Sequence, residues 1–376
     1  MFSNNLIETV LEDVQFPVYR IRFPAITLCN TNRINWNRIE EAKAKFLPQN
    51  RSQNTENLFE NFMAMFENYR FGFFANFSTK FENESLTELD QINLNEVLEF
   101  LMFRCEEMFS TNSCLWRNKE FNCCDEFDLQ KTVYGHCFTF NSEITTNGRA
   151  KFNDISYPRR SPGGGPGSGL RVQVNLHPDK KRPGNTQANG LQIICHKSTI
   201  WPTGQGVSFS STAIARTETV VVLQPEIYVA DKKISKLHLD QRGCLFEDEK
   251  EDNIYEYLPG QQYSFGNCLF QCKLRYAQEK CGCIPDMSFP AGNKTKRPCR
   301  ASDFKCLGEN DSNFCLKCFE MVSYYIRSLI CVIVGIFKQF ALKGFQADVP
   351  DTAFMYCRCA FTCTKTDYHG KRQYYL

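Results

Sequence analysis

The stretch Ser264-Phe-Gly-Asn-Cys268-Leu-Phe-Gln-Cys272-Lys-Leu-Arg-Tyr-Ala-Gln-Glu-Lys280-Cys281-Gly282-Cys283, set beside Cys357-Arg-Cys359-Ala-Phe-Thr-Cys363, decides the fold. Ser264 is a helix-capping residue and Gly282 a stop signal, so the spacing predicts one helix from Ser264 to Lys280. On it Cys268 and Cys272 share a face, about 6 Å apart along the axis. A disulfide needs Cβ atoms about 3.8 Å apart, so these two require partners on a neighbouring element. Cys357 and Cys359 are two apart, and on a strand both point to one face about 6.6 Å apart. The two spacings match, and the helix can dock on that strand through two stacked rungs, in an order the spacing leaves open. Cys281 and Cys283 repeat the strand spacing and could pair with Cys299 and Cys306. Bonds closing such long loops remove about 3–5 kcal/mol of unfolded-state freedom each, in the chain-entropy view.

Working outward, the whole chain of 376 residues carries 20 cysteines, a number that belongs to an oxidising compartment or to metal binding. Zinc is the rival reading, because Cys315-Leu-Lys-Cys318 has ligand spacing and Cys357, Cys359 and Cys363 follow. Yet the five histidines (136, 177, 196, 238 and 369) fall in no finger or HExxH spacing, which favours disulfides. Sequons at Asn50, Asn76, Asn83, Asn293 and Asn310 agree with export and mark candidate glycosylation sites. The 44 basic and 42 acidic residues are interspersed at a net charge of +2, which excludes a dedicated nucleic-acid binder. A hydrophobic content of 42% with 33 Phe is ample for a packed core. No Walker or dinucleotide glycine pattern calls for a cofactor. No Gly-x-Ser-x-Gly or separable Cys/His pair calls for an enzyme, and a disulfide-rich hydrolase has no support.

The order of elements suggests an α+β protein. Phe23 to Asn30 reads as a buried strand. From about Trp36 to Phe127 the pattern is mostly helical. Ser85-Leu-Thr-Glu88 has the capping-box form, followed by Leu86, Leu89, Ile92, Val97 and Leu98 at near-helical spacing. The aromatic residues crowded between Phe71 and Phe81 read as core. Strand character returns at Gly135 to Phe140. It recurs at Leu170 to Leu176, Gly190 to Cys195 and Ile214 to Leu223, after a glycine-rich loop at Arg160 to Gly169. Met1 to Arg22 shows no signal peptide, and no stretch offers the ~20 apolar residues of a spanning helix. A disulfide protein needs a route to the secretory pathway, so further sequence is expected, at least upstream.

Read in order, the motifs resemble the degenerin/epithelial sodium channel (amiloride-sensitive sodium channel) family, most closely its insect pickpocket-like branch. Phe23-Pro-Ala-Ile-Thr-Leu-Cys-Asn30 is similar to the family's Phe-Pro-Ala-Val-Thr-Ile-Cys-Asn, which follows its first membrane helix. Gly135-His-Cys-Phe-Thr-Phe-Asn141 resembles its Gly-x-Cys-Tyr-Thr-Phe-Asn, and Gln241-Arg-Gly-Cys244 its Gln-Arg-x-Cys. Gly169-Leu170 and Gly190 to His196 fit its palm strands. Asn267-Cys-Leu-Phe-Gln-Cys272 and Lys280-Cys-Gly-Cys-Ile-Pro285 resemble its thumb helix and turn. Cys357-Arg-Cys-Ala-Phe-Thr-Cys363 resembles Cys-x-Cys-Leu-Pro-x-Cys, with Ala360 and Phe361 in place of Leu-Pro.

The resemblance implies a clenched-hand ectodomain: β-sheet palm and β-ball, helical finger, and disulfide-rich helical thumb, with the transmembrane helices missing. Residues 1–22 then follow a missing first membrane helix, 23–44 hold a palm strand, and 45–130 form the finger. Residues 131–249 form palm and β-ball, 250–365 the thumb, and 366–376 the start of the return to the palm. The implied bridges are Cys29–Cys137, Cys244–Cys363, Cys268–Cys359, Cys272–Cys357, Cys281–Cys306 and Cys283–Cys299. The family thereby fixes the antiparallel order of the two rungs. Cys114 with Cys123 or Cys124 is a candidate finger bridge. Cys105, Cys195, Cys315, Cys318 and Cys331 have no assigned partner.

The implied function is a subunit of a trimeric, amiloride-sensitive, sodium-selective channel. It sits in the plasma membrane, homo- or hetero-trimeric with related subunits, with this chain on the extracellular side. The pore's Gly-x-Ser is expected beyond Leu376 and the His-Gly gating motif before Met1, since His369-Gly370 lies in the wrong place. As given, the chain holds no pore helix, and the alternative is a secreted, non-conducting binding protein or remnant built on the same ectodomain. Residues 322–346 read as an insert, either a retained intron or a surface loop or amphipathic helix. Its apolar run, Leu329 to Phe337, is too short to span a bilayer. Glu247 to Asp252 is either part of a cation- or proton-sensing pocket or a solvated charged turn, the commoner fate of such runs. Tyr255, Tyr257 and Tyr263 read as packing residues.

Overall fold

A computed structural model describes residues 10–13, 15–151, 153–165, 167–202, 209–249, 263–288, 296–311, 357 and 359–375. The insert 322–346, Cys315, Cys318, Cys331, Asn293, Tyr255 and Tyr257 lie outside them.

The Phe-Pro-Ala run forms β1 (Ala25–Asn30), buried along its whole length. Four short helices follow: α1 (Ile39–Phe46), α2 (Gln53–Phe66), α3 (Ala75–Lys80) and α4 (Leu94–Leu101). Ser52 caps α2 and Asn93 caps α4, each accepting from a backbone N–H three residues on. Ser85 caps no α-helix: its hydroxyl meets Thr87, and Glu88 instead accepts the hydroxyl of Thr55 on α2. The apolar spacing there still sends Leu86, Leu89, Ile92 and Val97 into the core.

The helical reading fails beyond Met102. After α5 (Cys105–Met108) the chain forms a hairpin, β2 (Phe109–Trp116) and β3 (Lys119–Phe121), then α6 (Cys123–Glu126). The Ser/Thr-rich run suits a strand better than a helix, and Arg117 and Asn118 take positive φ to turn it. Next come β4 (Phe127–Thr132), β5 (Gly135–Phe140), α7 (Thr146–Ala150), β6 (Leu170–Val174), β7 (Gly190–His196), β8 (Phe209–Ile214) and β9 (Glu218–Val229). The run expected from Ile214 to Leu223 is thus broken, with Arg216 at φ 64° turning β8 into β9. The chain closes with α8 (Leu239–Arg242), β10 (Cys244–Leu245), α9 (Phe265–Cys281), α10 (Asp303–Glu309), β11 (Phe361–Thr362) and β12 (Thr364–Tyr375).

The central antiparallel sheet runs β4-β5-β1-β7-β8, and β2 is flanked by β3 and β6 in a second sheet. β12 pairs with β9 along its full length, from Thr364 opposite Val229 to Tyr375 opposite Glu218. One core joins the helices of residues 39–101 to α9 and α10, while a second lies between the central sheet and β2. The architecture is α+β, and among the described residues no helix is long and apolar enough to cross a membrane.

Candidate functional site

Two linked places join the helical part of the chain to its sheets. The first is the run of disulfides around α9. Ser264 caps this helix by accepting from Asn267 N, and Gly282 ends it at φ 67°, a conformation that costs glycine little. Cys268 bonds Cys359 and Cys272 bonds Cys357, with Cα–Cα distances of 5.9 Å in both. Cys357 and Cys359 precede β11 and lie on no strand. Cys281 is the last residue of α9 and Cys283 follows the Gly282 turn, so these two straddle a helix end instead of sharing a strand face. They bond Cys306 and Cys299.

Further along, Cys363 bonds Cys244, and its N–H donates to Leu245 O at 2.8 Å. Cys29 bonds Cys137 across β1 and β5, Cys114 bonds Cys123, and Cys105 bonds Cys124. Cys283, Cys299 and Asp303 lie close enough to hold a metal, but the two sulfurs are spent on each other. Cys195 is the one free cysteine among the described residues, buried, with its thiol pushed up to about 12 by desolvation.

The segment leaving these rungs becomes β12. Tyr263 Oη donates to Ala360 O at 2.5 Å, and the Phe265 ring stacks on Phe361 at 4.9 Å. Tyr368, 3% exposed, donates its hydroxyl to Arg22 O at 2.7 Å, which lays the last strand beside the approach to β1. A Cβ on Gly370 falls 2.1 Å from the Phe209 ring on β8. Gly370→Ala is therefore expected to push β12 off β8 and cost about 1–3 kcal/mol. The check is a lower unfolding midpoint together with faster proteolysis at β12.

The second place is a junction of three segments distant in sequence. Tyr69, just after α2, shares a 2.7 Å hydroxyl hydrogen bond with Ser288, which follows α9. Phe71 N donates to Val133 O at 2.7 Å, at the turn between β4 and β5. Arg33, just after β1, donates to Tyr69 O and lies 5.2 Å from the Tyr134 ring, which Arg70 also approaches at 5.7 Å. Lys131 on β4 and Asp286 attract one another, though burial dominates and moves each toward its neutral form. Beside them Phe71 meets Phe270 of α9 at 4.7 Å, and Phe304 of α10 is ringed by Phe62, Phe66, Phe74 and Phe77. Ser302 N and Oγ both donate to Asp90, at 2.9 and 2.7 Å. Sequence reading missed Arg33, Tyr69, Ser288 and Tyr368 as a group, because nothing local marks residues that meet only through the topology.

Two histidines lie on the central sheet, His196 buried on β7 and His136 half-buried on β5. His196 Nδ1 donates to Lys197 O at 3.0 Å, leaving Nε2 to accept from Thr27 Oγ1 at 3.0 Å, itself 2.8 Å from Thr139 Oγ1. Desolvation lowers the His196 pKa to about 4, against the pull of nearby carbonyls. His136 is lowered to about 4 by desolvation and then by Lys131, its partner across β4 and β5. Both rings are neutral in the fold and charge near 6.5 when unfolded, so the unfolded chain binds more protons between those values. Stability is expected to fall as pH drops from about 6.5 toward about 4. Denaturant midpoints across that range check it, with a shallower pH slope in His196→Gln.

The remaining candidates divide by exposure. Asn50, Asn76 and Asn83 are exposed, whereas Asn310 is half-buried with Nδ2 donating to Cys306 O at 2.9 Å. In the acidic run, Glu247 pairs with Lys197, and Glu249 with Arg242 at 2.6 Å. Residues 250–252 lie outside the described residues.

Among known proteins, the amiloride-sensitive sodium channel family matches residues 1–375. Pickpocket protein 19 of Drosophila melanogaster is 26% identical over 317 residues, covering 83% of this chain and 60% of that protein. Sodium channel protein Nach of Drosophila ananassae is 24% identical over 318 residues, 83% of this chain and 57% of its own length. The bile acid-sensitive ion channel of Mus musculus is 24% identical over 291 residues, 73% and 48% of the two. The chain spans about three fifths of the length of the two insect relatives. The family is one of multimeric plasma-membrane channels and contains no enzymes. With its match running through residues 1–375, this chain belongs to the amiloride-sensitive sodium channel, or degenerin, family, on the insect pickpocket-like side.

Proposed function

We propose that the chain is the extracellular part of a sodium-selective, amiloride-sensitive channel subunit, working in a homo- or hetero-trimer with related subunits. In this reading 1–22 follow a membrane helix and 23–44 carry a palm strand. Residues 45–130 are the finger, 131–249 the palm and β-ball, 250–365 the thumb with its insert 322–346, and 366–376 the return to the palm. The observation that carries the reading is the contact of Tyr368 with Arg22, which brings the entering and leaving segments side by side. That is what a subunit needs when membrane helices flank one extracellular body. The junction of Arg33, Tyr69, Tyr134 and Ser288 then passes movements of the finger and thumb to the palm, and the rungs on α9 pass them to β12.

The test is current from cells expressing the full coding sequence, alone and with related subunits. The expected result is inward current that amiloride blocks and that vanishes when sodium is replaced by a large organic cation. A protein that reaches the surface, assembles with related subunits and still conducts nothing contradicts it, and points to the non-conducting binding protein. Export also predicts glycans at Asn50, Asn76 and Asn83. Asn→Gln at each is expected to remove one glycan's mass from the surface pool, while Asn310→Gln leaves it unchanged.

A further inference from the structure

Thirteen large hydrophobic side chains stand exposed among the described residues, and five of them fall in one short run: Val10, Leu11, Phe16, Val18 and Tyr19. Exposed hydrophobics scattered singly need no explanation, whereas a cluster marks a contact surface. The run is irregular apart from one turn at Val18–Arg20. Charges of both signs lie among its apolar side chains. Glu12 and Asp13 are exposed, and so is Arg20, whose guanidinium sits 5.9 Å from the Tyr19 ring. Where the run enters the body, Arg22 forms a bridge with Arg160, and Phe23 N donates to Arg159 O at 2.9 Å. The loop held there adds an exposed arginine, Arg160, and the wholly exposed Ile155.

A close-packed protein partner would bury these carboxylates and arginines, and each buried charge would need a partner of its own. A zwitterionic phospholipid headgroup offers both signs at once. Its phosphate suits arginine, and its choline suits carboxylates and aromatic faces. Amphipathic rings such as tyrosine collect at this level of a membrane, with apolar side chains reaching the acyl boundary below. An irregular backbone stays at that level, because its unpaired polar groups are too costly in hydrocarbon. Resting on the reading that residues 1–22 follow a membrane helix, we propose that this run lies on the outer surface of the plasma membrane. Val10, Leu11, Phe16, Val18 and Tyr19 dip between zwitterionic headgroups, and Arg20 and Arg160 take their phosphates.

The test is flotation of the full chain with phosphatidylcholine vesicles, with and without added phosphatidylserine. It compares the wild type, the double variant Phe16→Ser with Tyr19→Ser, and Phe73→Ser, a comparably exposed ring after α2 that serves as control. The wild type is expected to float with pure phosphatidylcholine, and Phe73→Ser to match it. The double variant is expected to bind about tenfold more weakly, having lost two rings from the lipid contact. All three rings are exposed, so each variant is expected to keep the wild-type unfolding midpoint. A wild-type chain that ignores pure phosphatidylcholine, floats only with phosphatidylserine present, or binds no better than the double variant overturns the proposal. Amiloride-blocked current from the full coding sequence, beside a chain that ignores vesicles, removes this proposal and leaves the channel reading standing. Flotation by a protein that conducts nothing does the reverse.

Discussion

Replacing Phe304 by alanine is expected to destabilise the folded chain by about 3–5 kcal/mol. The ring is fully buried, with centroids of Phe62, Phe66, Phe74 and Phe77 at 5.7, 5.4, 6.1 and 4.8 Å. Each aromatic pair adds about 0.5–1.5 kcal/mol beyond the burial of its area. More is lost than one side chain, because α10 brings Phe304 to helices α2 and α3, and the resulting hole sits where the two helical units share a core. Denaturant unfolding of the oxidised chain measures the effect, with Phe361→Ala as control. Phe361 is about half exposed and should cost far less. A loss below about 1 kcal/mol for Phe304→Ala means the two helical units do not rest on a common core.

Removing the Cys29–Cys137 bridge as a pair, Cys29→Ser with Cys137→Ser, is expected to cost about 2–5 kcal/mol. The two cysteines are 108 residues apart in sequence, and their Cα atoms lie 4.7 Å apart on neighbouring strands. β1 and β5 are already joined by ladder hydrogen bonds, so the bridge acts chiefly by restricting the unfolded chain. Changing both residues avoids leaving one thiol to mispair with Cys195, which lies on β7, the other neighbour of β1. The readout is the denaturant midpoint together with the fraction of subunit reaching the cell surface. Unchanged values for both mean that the sheet closes the chain without help from the bond.

What was legible in the sequence was local. Ser264 and Gly282 mark the ends of α9 because capping and left-handed φ are properties of single residues. The strand β5 coincides with its motif, Gly135 to Phe140, bounded by a glycine turn. Spacing matched Cys281 and Cys283 with Cys299 and Cys306 but wrongly set them on a strand, since a helix end turning through Gly282 can present two cysteines much as a strand does. It misjudged Phe109 to Phe121 as well, where a hairpin turns on Arg117 and Asn118 without a glycine to announce it. The same holds at Arg216 between β8 and β9. The junction was invisible for a different reason. Arg33, Tyr69, Tyr134 and Ser288 belong to four segments, and only the packed topology makes them neighbours.

The most direct test of the coupling role assigned to that junction is single-channel recording of the full-length subunit with Ser288→Ala. The substitution removes one partner of the buried Tyr69 hydroxyl and no charge. A buried hydrogen bond contributes about 0.5–1.5 kcal/mol, which is roughly a two- to tenfold change in an equilibrium if only one gating state makes it. The expected result is a change in open probability of that size with unitary conductance and sodium selectivity unaltered. An open probability identical to wild type, in channels present at the surface in equal number, contradicts the assignment of this junction as the link between the helical units and the sheet.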